Sequence, residues 1–414
     1  MFTIYGIRYS NNTKIPESTG IHRSETASPR CDRWTLPALL LSLFILGLLF
    51  GCAGPLNRTE GVAALHNTWR DRLADTDHTA NAQMYIYAPD LELDETFGPL
   101  QNKRHPFHVA SVGKLFTTVL IAQLIESGRL DWDTRIAAVL PAADLQGLFV
   151  YSGKDYATEV SIEHLLTHTS GAADYFADRP ASGVGISELI LNEPERDWTP
   201  QDLLEFTRRH LHAHFAPGHG YHYSDTGYIL LGLVVEQIAG RPYHQVLADR
   251  VFQPLQMTSA YMPYRSVPMN AADEQTMGET WFQGVQIDGY RSITADWAGG
   301  GVVCTLEDLM RFDRALFGGE LLNESTMQRL ANFKHEFESG IYYGAGMMEY
   351  RFEDFFPLLT GYPRWRGHMG ILATHATYDP ERNIYIVLNM GSDENIEAGF
   401  RLLIDVSGIL MRIE

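Results

Sequence analysis

Strand-like segments lie near both ends of the globular part of this chain, with helical patterning between them. That arrangement restricts the fold more than any other feature. Residues 83–88, Gln-Met-Tyr-Ile-Tyr-Ala, alternate as a strand does. Residues 371–378 and 383–390 read as two more strands, joined by the turn Asp379-Pro380-Glu381-Arg382. Residues 396–412 then read as a closing amphipathic helix. Near the start, the pattern turns helical from Ser111 to Ser127, where Leu115, Val119, Ala122 and Ile125 recur at steps of three or four. Between the ends, helical stretches at 162–166, 200–211, 227–238 and 242–251 alternate with loops rich in Gly, Pro and Asp. The expectation is an α/β fold. The terminal strands pair in one antiparallel sheet flanked by helices, and residues from about 135 to 295 form an inserted, mostly helical lobe. A ligand site belongs in the cleft between the two.

The 414 residues are 45% hydrophobic and 20% charged, enough to bury a core, so disorder is not the default state. A net charge of −19 disfavours nucleic acid and anionic lipid as ligands. Cys31, Cys52 and Cys304 have no zinc-binding spacing and are too few for a disulfide framework. Residues 35–51, TLPALLLSLFILGLLFG, follow Arg30 and Arg33 and hold no charge. The run is short for a membrane span and suits a signal sequence. Leu49-Phe50-Gly51-Cys52 resembles a bacterial lipoprotein signal, which implies cleavage before Cys52 and lipidation of that cysteine. The rival reading is an uncleaved signal anchor. Either one attaches the protein to the membrane in the cell envelope, facing the periplasm or the exterior. The domain plan is thus a signal at 1–51, a linker and N-terminal segment at 52–80, and a globular domain at 81–414.

Chemistry is concentrated in three places. The first is Ser111-Val112-Gly113-Lys114, set in apolar sequence. Three residues make one helical turn, so the Ser111 hydroxyl and the Lys114 amine face the same way. A serine needs such a neighbour to become a nucleophile, and a lysine acts as base only when burial or nearby cations depress its pKa. The second is Tyr221-His222-Tyr223-Ser224-Asp225, following Pro217-Gly218. The third is Arg366-Gly367-His368-Met369-Gly370, just before the last strands.

In this order and spacing the three resemble the motifs of the serine β-lactamase and penicillin-binding-protein superfamily, which includes class C β-lactamases and related esterases and D-peptidases. Tyr223-Ser224-Asp225 is similar to its Tyr-x-Asn motif, and His368-Met369-Gly370 stands in the place of its Lys-Thr-Gly strand. Segments 165–171 and 299–309 resemble further, structural parts of the family, so the likeness runs from about residue 82 to 410. It implies a β-lactamase/transpeptidase-like fold with Ser111 as nucleophile, Lys114 as its activating partner and Tyr223 as catalytic tyrosine. His368 would line the same cleft. It also implies that the N–H groups of Ser111 and Ile371, beside Gly370, form an oxyanion hole. Asp225 replaces the family's asparagine and would hold Lys114 charged. It therefore faces away, or is protonated, or leaves Tyr223 to act as base. His368 replaces a permanent cation, and Arg366, of the same strand parity, is the candidate to supply the missing charge. Both replacements argue against efficient β-lactam turnover.

The implied function is a serine hydrolase working through an acyl-enzyme. Its substrate would be an ester, an amide or a D-amino-acid peptide, small or cell-wall derived. The alternative is a non-catalytic envelope protein that binds peptidoglycan or a partner. No cofactor is expected. His210, His212, His214, His219 and His222 suggest a metal cluster, but alternating histidines converge only on a strand, and this segment reads as a helix end. No carboxylate follows at a metallohydrolase spacing either, so no metal is expected. Without Gly-x-Ser-x-Gly the chain has no α/β-hydrolase elbow.

Overall fold

The computed structural model describes residues 54–98, 103–270 and 277–414. The signal at 1–51 and Cys52 lie outside them. Among the described residues, no helix is long and apolar enough to cross a membrane.

Both ends of the chain do meet in one sheet. Its strands are β1 (Gln83–Ala88), β2 (Leu93–Phe97), β3 (His335–Glu338), β4 (Ile341–Tyr343), β5 (Met348–Arg351), β6 (Arg364–Gly370), β7 (Thr374–Asp379) and β8 (Ile384–Asn389). They lie in the order β2-β1-β8-β7-β6-β5-β4-β3, each antiparallel to its neighbours. β1 joins β8 from Gln83↔Asn389 to Tyr87↔Tyr385, which closes the N-terminal part onto the C-terminal part.

Helices cover both faces. The principal ones are α1 (Arg58–Ala74), α2 (Lys114–Glu126), α3 (Pro200–His210), α4 (Asp225–Ala239), α5 (Leu306–Phe317) and α6 (Ile396–Leu410). Met84, Ile86, Ile386 and Leu388 face α1 and α6, where Leu65, Phe400 and Val406 meet them. Tyr85, Tyr385 and Val387 face the opposite core, which α2, α4 and α5 complete. With both faces covered, every residue of β8 is buried, and its sequence reads as an apolar run rather than an alternation.

The linker and N-terminal segment carries α1, and a helical stretch is expected there around Val62–Leu73. Asn57 caps α1 in a reciprocal box with Glu60. Leu56 N–H donates to the Arg412 carbonyl (2.7 Å), which ties this segment to the C-terminus. Burying the Leu65 side chain in that interface contributes about 1.5–3 kcal/mol. The middle of the chain is the expected helical lobe, with Ile162–Leu166, Ile186–Asn192, α3, α4 and Tyr243–Leu247.

Candidate active site

The chain leaves Phe107–His108 and enters α2 through a tight 3-10 turn, Ala110–Gly113, so Ser111 precedes the α-helix proper. Ala110 has φ +47°, a left-handed conformation that costs a non-glycine residue about 1–3 kcal/mol and tends to occur at functional sites. The end of β6 presses on this turn. A Cβ on Gly370 would lie 2.8 Å from Ala110 Cβ and 3.2 Å from Ser111 N, so only glycine lets the strand approach so closely. Ile371 follows directly and is almost wholly buried.

Lys114 is fully buried and its ammonium is saturated. Nζ donates to Ser111 Oγ (2.9 Å) and to the Gly299 carbonyl (3.0 Å), and it is ion-paired with Asp225. Three donors thus meet three acceptors. The rings of Tyr223 and Tyr228 lie 5.0 and 5.4 Å from Nζ, close enough for cation–π attraction. A Cβ on Gly299 would fall 2.9 Å from Asp225 Oδ1. Glycine is therefore what allows a backbone carbonyl and a carboxylate to share one ammonium. Of the arrangements open for Asp225, the structure has it facing Lys114.

The carboxylate is itself positioned. Asp225 opens α4, and its N–H donates to Asp174 Oδ1 (3.1 Å), which also accepts from Phe176 N–H (3.0 Å). Burial, then the Asp225 charge, hold the Asp174 carboxyl well above the usual carboxylate range. Enclosure and then Asp225 also push Asp296 up to about 7, against the pull of Lys114. The Lys114–Asp225 pair is therefore flanked by two further carboxyl groups, both of them pushed toward their protonated forms.

Tyr223 is 8% exposed and packs its ring 4.3 Å from that of His168. His168 Nδ1 accepts from Ser224 N–H (3.0 Å) and so fixes the segment that carries the tyrosine. Burial, then Lys114, keep His168 well below the ordinary histidine pKa. His368 also belongs to this aromatic cluster, with its ring 6.5 Å from that of Tyr223. It is wholly buried, and burial, then Lys114, lower its pKa to about 3. A carbonyl can only accept, so Nδ1–H donates to Met369 O (2.6 Å) and Nε2 accepts from Tyr343 Oη–H (3.2 Å). Both ring nitrogens are thus engaged within the protein. Arg366, on the same strand, is paired too. Its guanidinium is paired with buried Glu349 (3.2 Å) and lies over Phe333, so its charge is already committed.

Beside Ala110 and Ile371 opens an apolar recess walled by Phe176, Met277, Phe282, Ile287 and Leu372, with His108 and Asp296 also on its lining. His108 Nδ1 accepts from Ala110 N–H (3.1 Å), which leaves Nε2 to carry the proton. Asp174, Tyr343 and the Gly299 carbonyl were not singled out from the sequence. The triple glycine at 299–301 was the available signal for a close backbone approach, but it reads equally well as structural.

The sequence profile described as Beta-lactamase matches residues 86–402. The chain belongs to the beta-lactamase family. Among curated relatives, penicillin-binding protein 4* of Bacillus subtilis (strain 168) is 27% identical over 236 residues, 54% of this chain and 47% of that one. A D-aminopeptidase of Brucella anthropi is 27% identical over 270 residues, 64% and 45% of the two chains. The chain thus spans about half the length of these relatives. A D-stereospecific amidohydrolase from Streptomyces sp. shares the fold with a TM-score of 0.67 at 22% identity, covering 82% of this chain and 97% of that one.

Were Ser111 of this beta-lactamase family member a nucleophile, Gly370→Ala would lower kcat about 10²-fold, the scale of an ångström's misplacement at a reacting centre. The added methyl must push β6 off the Ser111 turn. Steady-state kinetics on a variant with near-normal melting checks this, and an unchanged kcat would show that the close approach has no catalytic weight.

Proposed function

We propose that this protein is a serine hydrolase in which Ser111 forms an acyl-enzyme that water then clears. The observation that carries the reading is the fully buried Lys114 ammonium, hydrogen-bonded to Ser111 Oγ and facing Asp225. A proton moved from Lys114 to Asp225 leaves an amine that accepts the Ser111 proton as Oγ attacks the carbonyl carbon. The substrate oxygen then takes the negative charge and the lysine returns to the ammonium form. The N–H groups of Ser111 and Ile371 are the proposed donors to that oxygen. Tyr223, with its ring beside Nζ, is the proposed carrier of a proton to the leaving group. His368 acts here as a positioning residue through Tyr343.

The substrate we infer is an amide, ester or D-amino-acid peptide with an apolar acyl portion that fits the recess beside Ala110 and Ile371. His368 is neutral and Arg366 is paired, so neither offers a free charge to a substrate carboxylate. That supports the expectation of poor β-lactam turnover. A fluorophosphonate probe tests the reading. Wild type should be labelled at Ser111 and Ser111→Ala should not. A folded wild type that resists the probe favours the alternative, a binding protein that has kept the hydrolase fold.

A further inference from the structure

The histidines discounted in the sequence do converge, though not by alternation along one segment. His214 and His222 lie at opposite ends of a loop that is fastened to the 168–171 segment. Three bonds hold it: His214 N–H to Gly171 O (2.8 Å), Gly218 N–H to Thr169 O (2.8 Å) and His222 N–H to His168 O (3.0 Å). The loop brings the two imidazoles together, tilted by 36° with ring centroids 3.7 Å apart. Both turn Nε2 toward one carboxylate, Asp178, at 2.7 and 3.1 Å. The three ligand atoms lie within 4.8 Å of one another. His210, His212 and His219 are not in this group.

We propose that Asp178, His214 and His222 form a binding site for a divalent transition-metal ion such as Zn2+. Two imidazole nitrogens and one carboxylate oxygen are a donor set suited to zinc, nickel or copper. Ligands bound to one zinc at about 2.1 Å sit roughly 3.4 Å apart, so the present spacings, all within 4.8 Å, need only small side-chain shifts. Each neutral imidazole binds through Nε2 once its proton moves to Nδ1, and water completes the coordination. The side chains are 19–39% exposed, which leaves the ion a way in. Asp178 is also oriented as metal-binding carboxylates commonly are, since its Oδ2 accepts from Asp174 N–H (2.8 Å). Asp174 in turn accepts from Asp225 N–H, so a metal here would brace the turn that seats the partner of Lys114. The site does not depend on the proposed hydrolysis.

Titration of full-length protein lacking a polyhistidine tag with Zn2+, and with Co2+ followed by its visible d–d absorption, tests the proposal. The expected result is one ion per chain at micromolar affinity or tighter, with a melting temperature that rises with metal concentration. His214→Ala and His222→Ala should each weaken binding at least ~10–100-fold, the loss seen when even an outer partner of a metal site is removed. His212→Ala and His219→Ala should leave it unchanged. Far-UV circular dichroism and a cooperative melt show whether His214→Ala is folded, and His214→Gln serves as a second variant should it not be. The proposal is overturned by the absence of stoichiometric binding to folded wild type. Binding that the His214 and His222 variants retain overturns it equally.

Discussion

Replacing Ser111 by alanine is expected to lower kcat on the order of 10⁶-fold, the scale on which a serine protease fails without its nucleophile. Substrate affinity should change much less, because the recess beside Ala110 and Ile371 stays intact. Lys114→Ala and Tyr223→Phe remove proton handling rather than the attacking atom, so each should cost about 10²–10⁴-fold. The double variant Ser111→Ala/Lys114→Ala should be scarcely worse than Ser111→Ala alone, because residues that act as one unit fail together. Single-turnover kinetics on an activated ester measures all four proteins. Free energies that add in the double variant would mean that Lys114 does not act through Ser111.

Asp225→Asn should have the largest effect on stability. Lys114 is wholly buried, and breaking a buried pair by removing one partner typically costs about 3–5 kcal/mol. The sign of the pH dependence follows from linkage. Without the carboxylate, the buried lysine folds more cheaply as the neutral amine, whereas in the unfolded chain it remains protonated. The unfolded state then binds more protons, so the stability of the variant should rise with pH. Asparagine cannot take the Lys114 proton within the site, so the amine must be freed by loss to solvent and the onset of activity should move to higher pH. Denaturant unfolding at several pH values, paired with pH–rate profiles, tests both parts. Wild-type stability together with an unshifted profile would show that Asp225 does not govern the charge of Lys114.

The parts of the fold legible in the sequence were those whose burial follows from local pattern. β1 spans the residues expected of it, because Gln83–Ala88 carries β-favouring side chains on both faces. α6 ends two residues short of the expected boundary. β3, β4 and β5 carried little signal. They are three or four residues long and mix charged with aromatic side chains, as in His335–Glu338 and Met348–Arg351. Their strand character comes from pairing in the sheet rather than from their own preference. Similarly, α2 starts at Lys114 rather than Ser111, because the contact with Gly370 and the left-handed Ala110 force a tighter turn before it.

The sequence by itself determined the family, the pairing of Ser111 with Lys114 and the order of the three motifs, since each depends on near neighbours along the chain. Only the tertiary structure decided the electrostatics around Lys114. The acceptor at Gly299 lies 185 residues away, and Asp174 reaches the site through the backbone of Asp225. Which way Asp225 faces, whether His368 can carry charge, and what Arg366 is paired with all depend on burial and on partners from other strands. A buried charge is stable only where distant groups converge to satisfy it, and no local pattern encodes that convergence.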